Sequence, residues 1–369
     1  MARFWLLVLL VLGVSGGLLQ YLGPPLPRVA AVPTPAASPT APAVVATAQP
    51  LPPLVVQRRV GPAPNQPGRD QPGPVTDPDP ALQEPGPAGK DDLLPRIAAD
   101  GRQPMQAYAA GFDRSSRRPR IAVLVAGMGQ AEVDSLHAVN ALPGAVSFAI
   151  TPYGGAVARV IAAARLAQHE YLVSIPMEPQ GFPLNDPGNQ ALMTSLGRAD
   201  NMVRLLWAMS RFGGYVGATG ALGDLRGERF AGLSDQMEPV LRQIAQRGLL
   251  YVDPRPGQPP PAQVWSRVVD VVIDDPVNAD AIDARLAELE GIARVYGSAL
   301  GLAGAPRPVT VDRLAAWSAT LADKGLVLAP VSAIVQAPLR EPSPRDATPS
   351  DPAARDATTR ETPPKDAKP

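Results

Sequence analysis

RIAVLVAGMGQAEVDSLHAVNALPGAVSFAI, from Arg120 to Ile150, is the stretch that decides the fold. It opens on a continuous apolar run at Ile121 and breaks at glycine. A segment follows whose apolar residues recur at three and four, and a second apolar run begins at Val146. The reading is strand, helix, strand. A strand that is apolar on both faces has to be covered on both, which is the condition of a parallel sheet with helices packed against it. The unit then repeats. Further strands are expected at YLVSI from Tyr171, YVGA from Tyr215, LLYVD from Leu249, VVDVVI from Val268, ARVYGSA from Ala293 and LVLAPV from Leu326. Helical periodicity marks AVARVIAAARLAQ from Ala156, DNMVRLLWAMSRF from Asp200, LSDQMEPVLRQIAQRG from Leu233, NADAIDARLAELEG from Asn278 and TVDRLAAWSATLADKG from Thr310. About eight such units predict an α/β fold, a distorted (β/α) barrel of seven to eight strands over residues 119–336. An open doubly wound sheet is the alternative.

The flanks are different in kind. The chain has 369 residues, 46 of them proline and 33 glycine, and the prolines concentrate outside the barrel segment. Residues 24–118 read as a Pro/Ala-rich disordered linker, because proline removes backbone donors and blocks both helix and central strand. Flexible-chain scaling gives it a reach of at least about 50 Å. Residues 337–369, where RDAT occurs at Arg345 and again at Arg355, read as a disordered tail. At the N-terminus, FWLLVLLVLGVSGGLLQYL from Phe4 to Leu22 is uncharged and about long enough to cross a hydrocarbon core of roughly 30 Å. Residues 1–23 are therefore expected to be an uncleaved membrane anchor, with cleavage near Arg28 to Ala31 as the alternative. Arg3 on the short side places the rest of the chain outside the cytoplasm. The expected location is a bacterial inner membrane, crossed once, with the barrel in the periplasm.

Basic and acidic residues balance at 34 each, so no global field recruits nucleic acid. There is no cysteine, which removes disulfides, thiolate nucleophiles and cysteine-held zinc together. Neither GLAGAP at Gly301 nor GATGALG at Gly217 carries a Walker lysine or a dinucleotide fingerprint, and no GxSxG occurs. No cofactor is expected.

HEYLVSIPMEP from His169, GLLYVDPRPG from Gly248 and GLVLAPVSAIV from Gly325 resemble, in order and spacing, the HEV-x-LHLPMEP, GL-x-F-x-DSRT and VPVS segments of the divergent polysaccharide deacetylases. That resemblance implies a barrel of about seven strands with a water-bearing metal at the mouth. In the family the metal is held by an aspartate after the first strand and by later histidines, with an aspartate as base and a late histidine as acid. Such a metal polarises the acetamide carbonyl and lowers the pKa of the attacking water. Here the matching positions differ. The IDD-x-G place holds Val125, Ala126, Gly127, Met128 and Gly129. Ser174 stands for the histidine of LHLP, Gly217 to Leu222 for NNHMGS, and Tyr296 to Ala299 for the late IGHP-like segment. The chain has two histidines in all. His137 falls inside a helix and is expected at the surface, and His169 precedes its strand, at the barrel end opposite the mouth. No metal site is expected.

The candidate catalytic groups are the carboxylates that follow strands, namely Glu178, Asp253 with Arg255, and Asp274 with Asp275. One reading has them converge as an acid/base pair or as ligands of a hard cation. The other has Asp253 and Arg255 form an ion pair while Asp274 and Asp275 cap the helix starting at Asn278. For ligand binding the candidate is the long loop PMEPQGFPLNDPGNQALMTSLG, in which Phe182, Asn185, Asp186 and Asn189 combine an apolar face with groups suited to a sugar. The expected protein is a membrane-anchored, non-catalytic glycan-binding or regulatory member of envelope carbohydrate metabolism, its partner an envelope glycan or peptidoglycan fragment. An active hydrolase working through the carboxylates, and a scaffold for another envelope protein, are the alternatives.

Overall fold

The protein, a computed structural model, is described over residues 67–70, 75–86 and 89–339. The expected anchor at residues 1–23, the linker as far as residue 66 and the tail from residue 340 lie outside them. No helix of the described residues is long and apolar enough to cross a membrane.

The linker expectation needs correction from residue 75 onward, nearly half of its length. Strands β1 (Gln83–Gly86) and β2 (Gly89–Pro95) form an antiparallel hairpin, and a short helix α1 (Pro104–Ala107) follows. Proline is tolerated at Pro85 and Pro95 because each strand of a two-stranded ribbon has a free edge. The segment is poor in apolar residues, but Val75, Leu82, Leu94, Met105, Tyr108 and Phe112 are placed inward and buried, while Ile97 stays exposed.

Strand β3 (Arg120–Met128) then begins the barrel. It is followed by α2 (Glu132–Ala141), β4 (Ser147–Ile150), α3 (Val157–Leu166), β5 (Tyr171–Ser174), α4 (Arg198–Met209), β6 (Gly217–Thr219), α5 (Glu228–Ala231), α6 (Ser234–Gln246) and β7 (Leu250–Asp253). The rest is β8 (Ser266–Val268), β9 (Val271–Val272), α7 (Ala279–Tyr296), β10 (Ser298–Ala303), α8 (Pro308–Ser318) and β11 (Val327–Leu328). The order across the sheet is β8-β7-β6-β5-β4-β3-β10-β9, parallel throughout, with β11 added to β3 at Arg120 and Ile121. Read as a circle, that is chain order, which a doubly wound sheet with its reversal would not give. The fold is a distorted (β/α) barrel. Its two edges belong to one run of chain: β8 pairs with β7, and only Val269 and Asp270 later β9 pairs with β10. The Asp270 carboxylate fixes this kink by accepting from Arg267 Nη2 at 2.6 Å and from the Leu300 amide at 2.7 Å.

Strand alternation sorts the core into two layers. Ile121, Val123, Val125, Phe148, Tyr171 and Val173 pack outward against the helices. Ala122, Leu124, Ala126, Ala149, Leu172 and Val252 point into the barrel and meet Leu82, Met105 and Tyr108 of the N-terminal segment, which fills the floor. One expected strand is shifted. Residues 293–296 of ARVYGSA continue α7, which ends at Gly297 with φ of 80°, and the strand begins only at Ser298. Glycine accepts that left-handed cap without strain, which is why the helix stops there.

Candidate functional site

At the floor, a residue absent from the sequence-based candidates holds the ends of the domain together. Glu170 is fully buried. Its Oε1 accepts from Ser147 Oγ at 2.9 Å and from the Ser332 amide at 2.9 Å. Its Oε2 accepts from the Ala110 amide at 3.0 Å and from Ser332 Oγ at 2.6 Å. Ser147 Oγ in turn accepts from the Val331 amide at 3.0 Å. Burial pushes the Glu170 pKa up, against the pull of the four donors. Beside it His169 is buried as well, with Nδ1 2.8 Å from the Val146 carbonyl oxygen and Nε2 3.2 Å from that of Val139. Burial holds its pKa below the usual imidazole value. His137 is half exposed, 3.5 Å from Asp312.

The mouth, at the C-terminal ends of the strands, is built from ion pairs. Glu178 is buried; its Oε2 accepts from the Thr194 amide at 2.6 Å and hydroxyl at 2.7 Å, and Arg229 lies 3.0 Å from Oε1. The carboxylate of Asp253 is clasped by Arg255, at 2.9 Å from Nε and 2.7 Å from Nη2. Asp274 accepts from the Gly304 amide at 2.8 Å and from Arg307 at 3.2 Å, and burial raises its pKa. Arg307 also pairs with Asp224. Asp275, largely exposed, lies 3.9 Å from Arg226, which also meets Glu228 at 3.3 Å. Of the two readings of these carboxylates, the geometry gives the Asp253–Arg255 pair. It does not give the helix cap: Asn278 caps α7 by accepting from the Ala281 amide at 2.9 Å. Arg226, Arg229 and Arg307 were not among the candidates. The run DLRGER from Asp224, dense in charge just after a strand, was the available signal.

The long loop between β5 and α4 is fixed at its base and open at its tip. Asn201 exchanges hydrogen bonds with Met193, and Arg204 reaches the Ala191 carbonyl. At the tip Asn185, Asp186 and Asn189 are exposed and Phe182 is half-buried. Asn185 donates to the Gln180 carbonyl at 3.0 Å, and Asp186 accepts from the Gly188 amide at 2.8 Å. Leu184 stands out beside them, 94% exposed.

The family profile of the divergent polysaccharide deacetylases matches residues 123–335, more than half of the chain. The chain belongs to that family. A solved structure of an uncharacterized protein from Agrobacterium tumefaciens is 32% identical, with 66% of this chain and 99% of that one covered and a TM-score of 0.60. Another, from Enterococcus faecalis and named for cellobiose-phosphate cleavage, is 11% identical over 59% of this chain and 100% of that one; at a TM-score of 0.39 it carries no argument. No curated protein matches. Membership in the divergent polysaccharide deacetylases ties the chain to carbohydrate chemistry.

It also asks whether the residues here fit the metal that the family resemblance implies. They do not. Among the described residues no three His, Cys, Asp or Glu side chains are grouped as a metal needs. The ligand positions themselves still converge, since Ser174 on β5 is the register partner of Thr219 on β6. What they carry are neutral hydroxyls: Thr219 Oγ1 accepts from the Ala221 amide at 3.2 Å, and Ser174 Oγ is buried without a partner among the described residues. Neither replaces an imidazole or a carboxylate as a zinc ligand. At the second aspartate position Gly127 has φ of 68°, and a Cβ built there would lie 3.2 Å from the Gly304 carbonyl oxygen. A side chain there would meet a tight contact in a left-handed backbone, and the glycine in place carries no carboxylate.

Proposed function

We propose that this divergent polysaccharide deacetylase is a non-catalytic glycan-binding protein of the bacterial envelope, tethered to the inner membrane by Phe4–Leu22 with its barrel in the periplasm. The observation that carries the non-catalytic part is the set of residues at the ligand positions, where Ser174, Thr219 and Gly127 offer neither an imidazole nor a carboxylate. The arginine partners of Glu178, Asp253 and Asp274 support it, because each occupies carboxylate oxygens that a cation or a substrate would have to reach. Glycan binding is assigned to the β5–α4 loop. Its pinned base presents Phe182, Leu184 and Asn189 with little conformational cost on binding, and exposed apolar surface beside amides suits a sugar ring.

Titration of the full chain with chitin and peptidoglycan oligomers tests this reading. Saturable binding is expected, weakened roughly tenfold by Phe182→Ala combined with Asn189→Ala, a loss of about 1.4 kcal/mol. Binding unaltered by the loop change would remove the site assignment, and absence of binding to any glycan would remove the function.

A further inference from the structure

At the barrel floor the segment FDRSSRRPR, from Phe112 to Arg120, precedes β3. Arg114 pairs with Asp70, and Arg120 lies over the Phe112 ring and donates to the Ala333 and Arg114 carbonyls. Arg117 and Arg118 are exposed, and among the described residues neither has an ion pair or a side-chain hydrogen bond. That sets them apart from the arginines of the mouth, each of which is held by a carboxylate. Both line an open hollow with Phe112, Asp113, Ser116 and Val327. The Asp113 carboxylate accepts from the amide of Ser115 at 2.9 Å and its hydroxyl at 2.6 Å, which favours its charged form, so that with Arg117 and Arg118 the hollow carries two positive charges against one negative. Two free guanidiniums, a serine hydroxyl and an apolar wall make a surface complementary to a phosphodiester carried on an apolar body.

We propose that this floor hollow docks on the anionic phospholipid headgroups of the bilayer to which the chain is tethered, so that the mouth is turned away from the membrane. The proposal rests on the tether reading, since a contact this small is weak alone and is made effective by the high local concentration that a linker imposes. Free phosphate shares the chemistry, and the test separates the two sources.

The experiment is amide hydrogen exchange of the full chain reconstituted in phosphatidylcholine vesicles with and without phosphatidylglycerol. Amides of residues 112–118 are expected to exchange more slowly in the anionic vesicles only. Arg117→Gln with Arg118→Gln should abolish the difference, because each basic side chain near an anionic surface strengthens association by roughly fivefold. The variant barrel should keep its exchange pattern elsewhere, since these side chains hold nothing in place. Identical exchange in both vesicle types would overturn the docking, as would equal protection by inorganic phosphate in detergent. Carbonate extraction of the same vesicles reports the anchor separately. A chain released by carbonate removes the tether reading and the docking with it, whereas a retained chain with unprotected residues 112–118 removes the docking alone.

Discussion

The two ends of the barrel both bury carboxylates, and they neutralise them by opposite means. At the floor Glu170 is surrounded by two amides and two hydroxyls and, among the described residues, forms no ion pair. At the mouth Glu178, Asp253 and Asp274 each meet an arginine, and two of those arginines remain partly exposed. The floor arrangement joins segments far apart in sequence, from Ala110 through Ser147 to Ser332, so its donors lose their acceptor together if Glu170 goes. The mouth arrangement is made of separate ion pairs at a partly open surface, and Arg229 and Arg307 can exchange their partners for water. A site held by separate pairs can change without unfolding the barrel, and the mouth is where the positions that the family resemblance assigns to the metal hold Ser174, Thr219 and Gly127.

The largest effect expected from this contrast is that of Glu170→Ala. It leaves four buried donors unsatisfied and should cost at least about 3 kcal/mol in urea unfolding. A loss below about 1 kcal/mol would mean that water reaches the floor and that the contrast is false. Arg307→Ala should cost less, about 1–2 kcal/mol, because Asp274 keeps its Gly304 amide and Arg307 is itself a third exposed. The pH dependence sharpens the same comparison. Burial raises the folded-state pKa of Glu170 above its unfolded value, so its contribution is fully present below the unfolded pKa and is lost as pH rises through the folded one. The stability difference between wild type and Glu170→Gln should therefore shift against the wild type as pH rises above about 4.5. A difference independent of pH would contradict that direction. The smallest effect is expected at the loop tip, where Asn189→Ala should change stability by no more than about 0.5 kcal/mol in thermal unfolding while weakening glycan binding.

The barrel was legible in the sequence because continuous apolar strands and amphipathic helices state their own cover, while the cyclic strand order, which excludes the doubly wound alternative, is seen only in the folded chain. The floor was not legible. Leu82, Met105, Tyr108 and Phe112 are spaced too widely among prolines to show a period, and their inward placement depends on a ribbon whose free edges tolerate proline. At the mouth the sequence located the acidic residues, since position after a strand is readable. It left their partners open, because Arg229 and Arg307 reach Glu178 and Asp274 from segments 51 and 33 residues away, and only the folded chain brings them together. Glu170 was passed over for a related reason. Lying next to His169 before a strand, it offered no charge pattern, and its donors come from three distant segments.

The central claim, that the scaffold is retained while the metal chemistry is lost, is tested most directly by incubating the purified full chain with N-acetylglucosamine oligomers and added zinc, and assaying released acetate. The expected result is no acetate above the protein-free control and no stoichiometric zinc retained after dialysis. Zinc-dependent acetate release that is abolished in Asp253→Ala would contradict the account, since it would require the paired carboxylates of the mouth to part from their arginines and work.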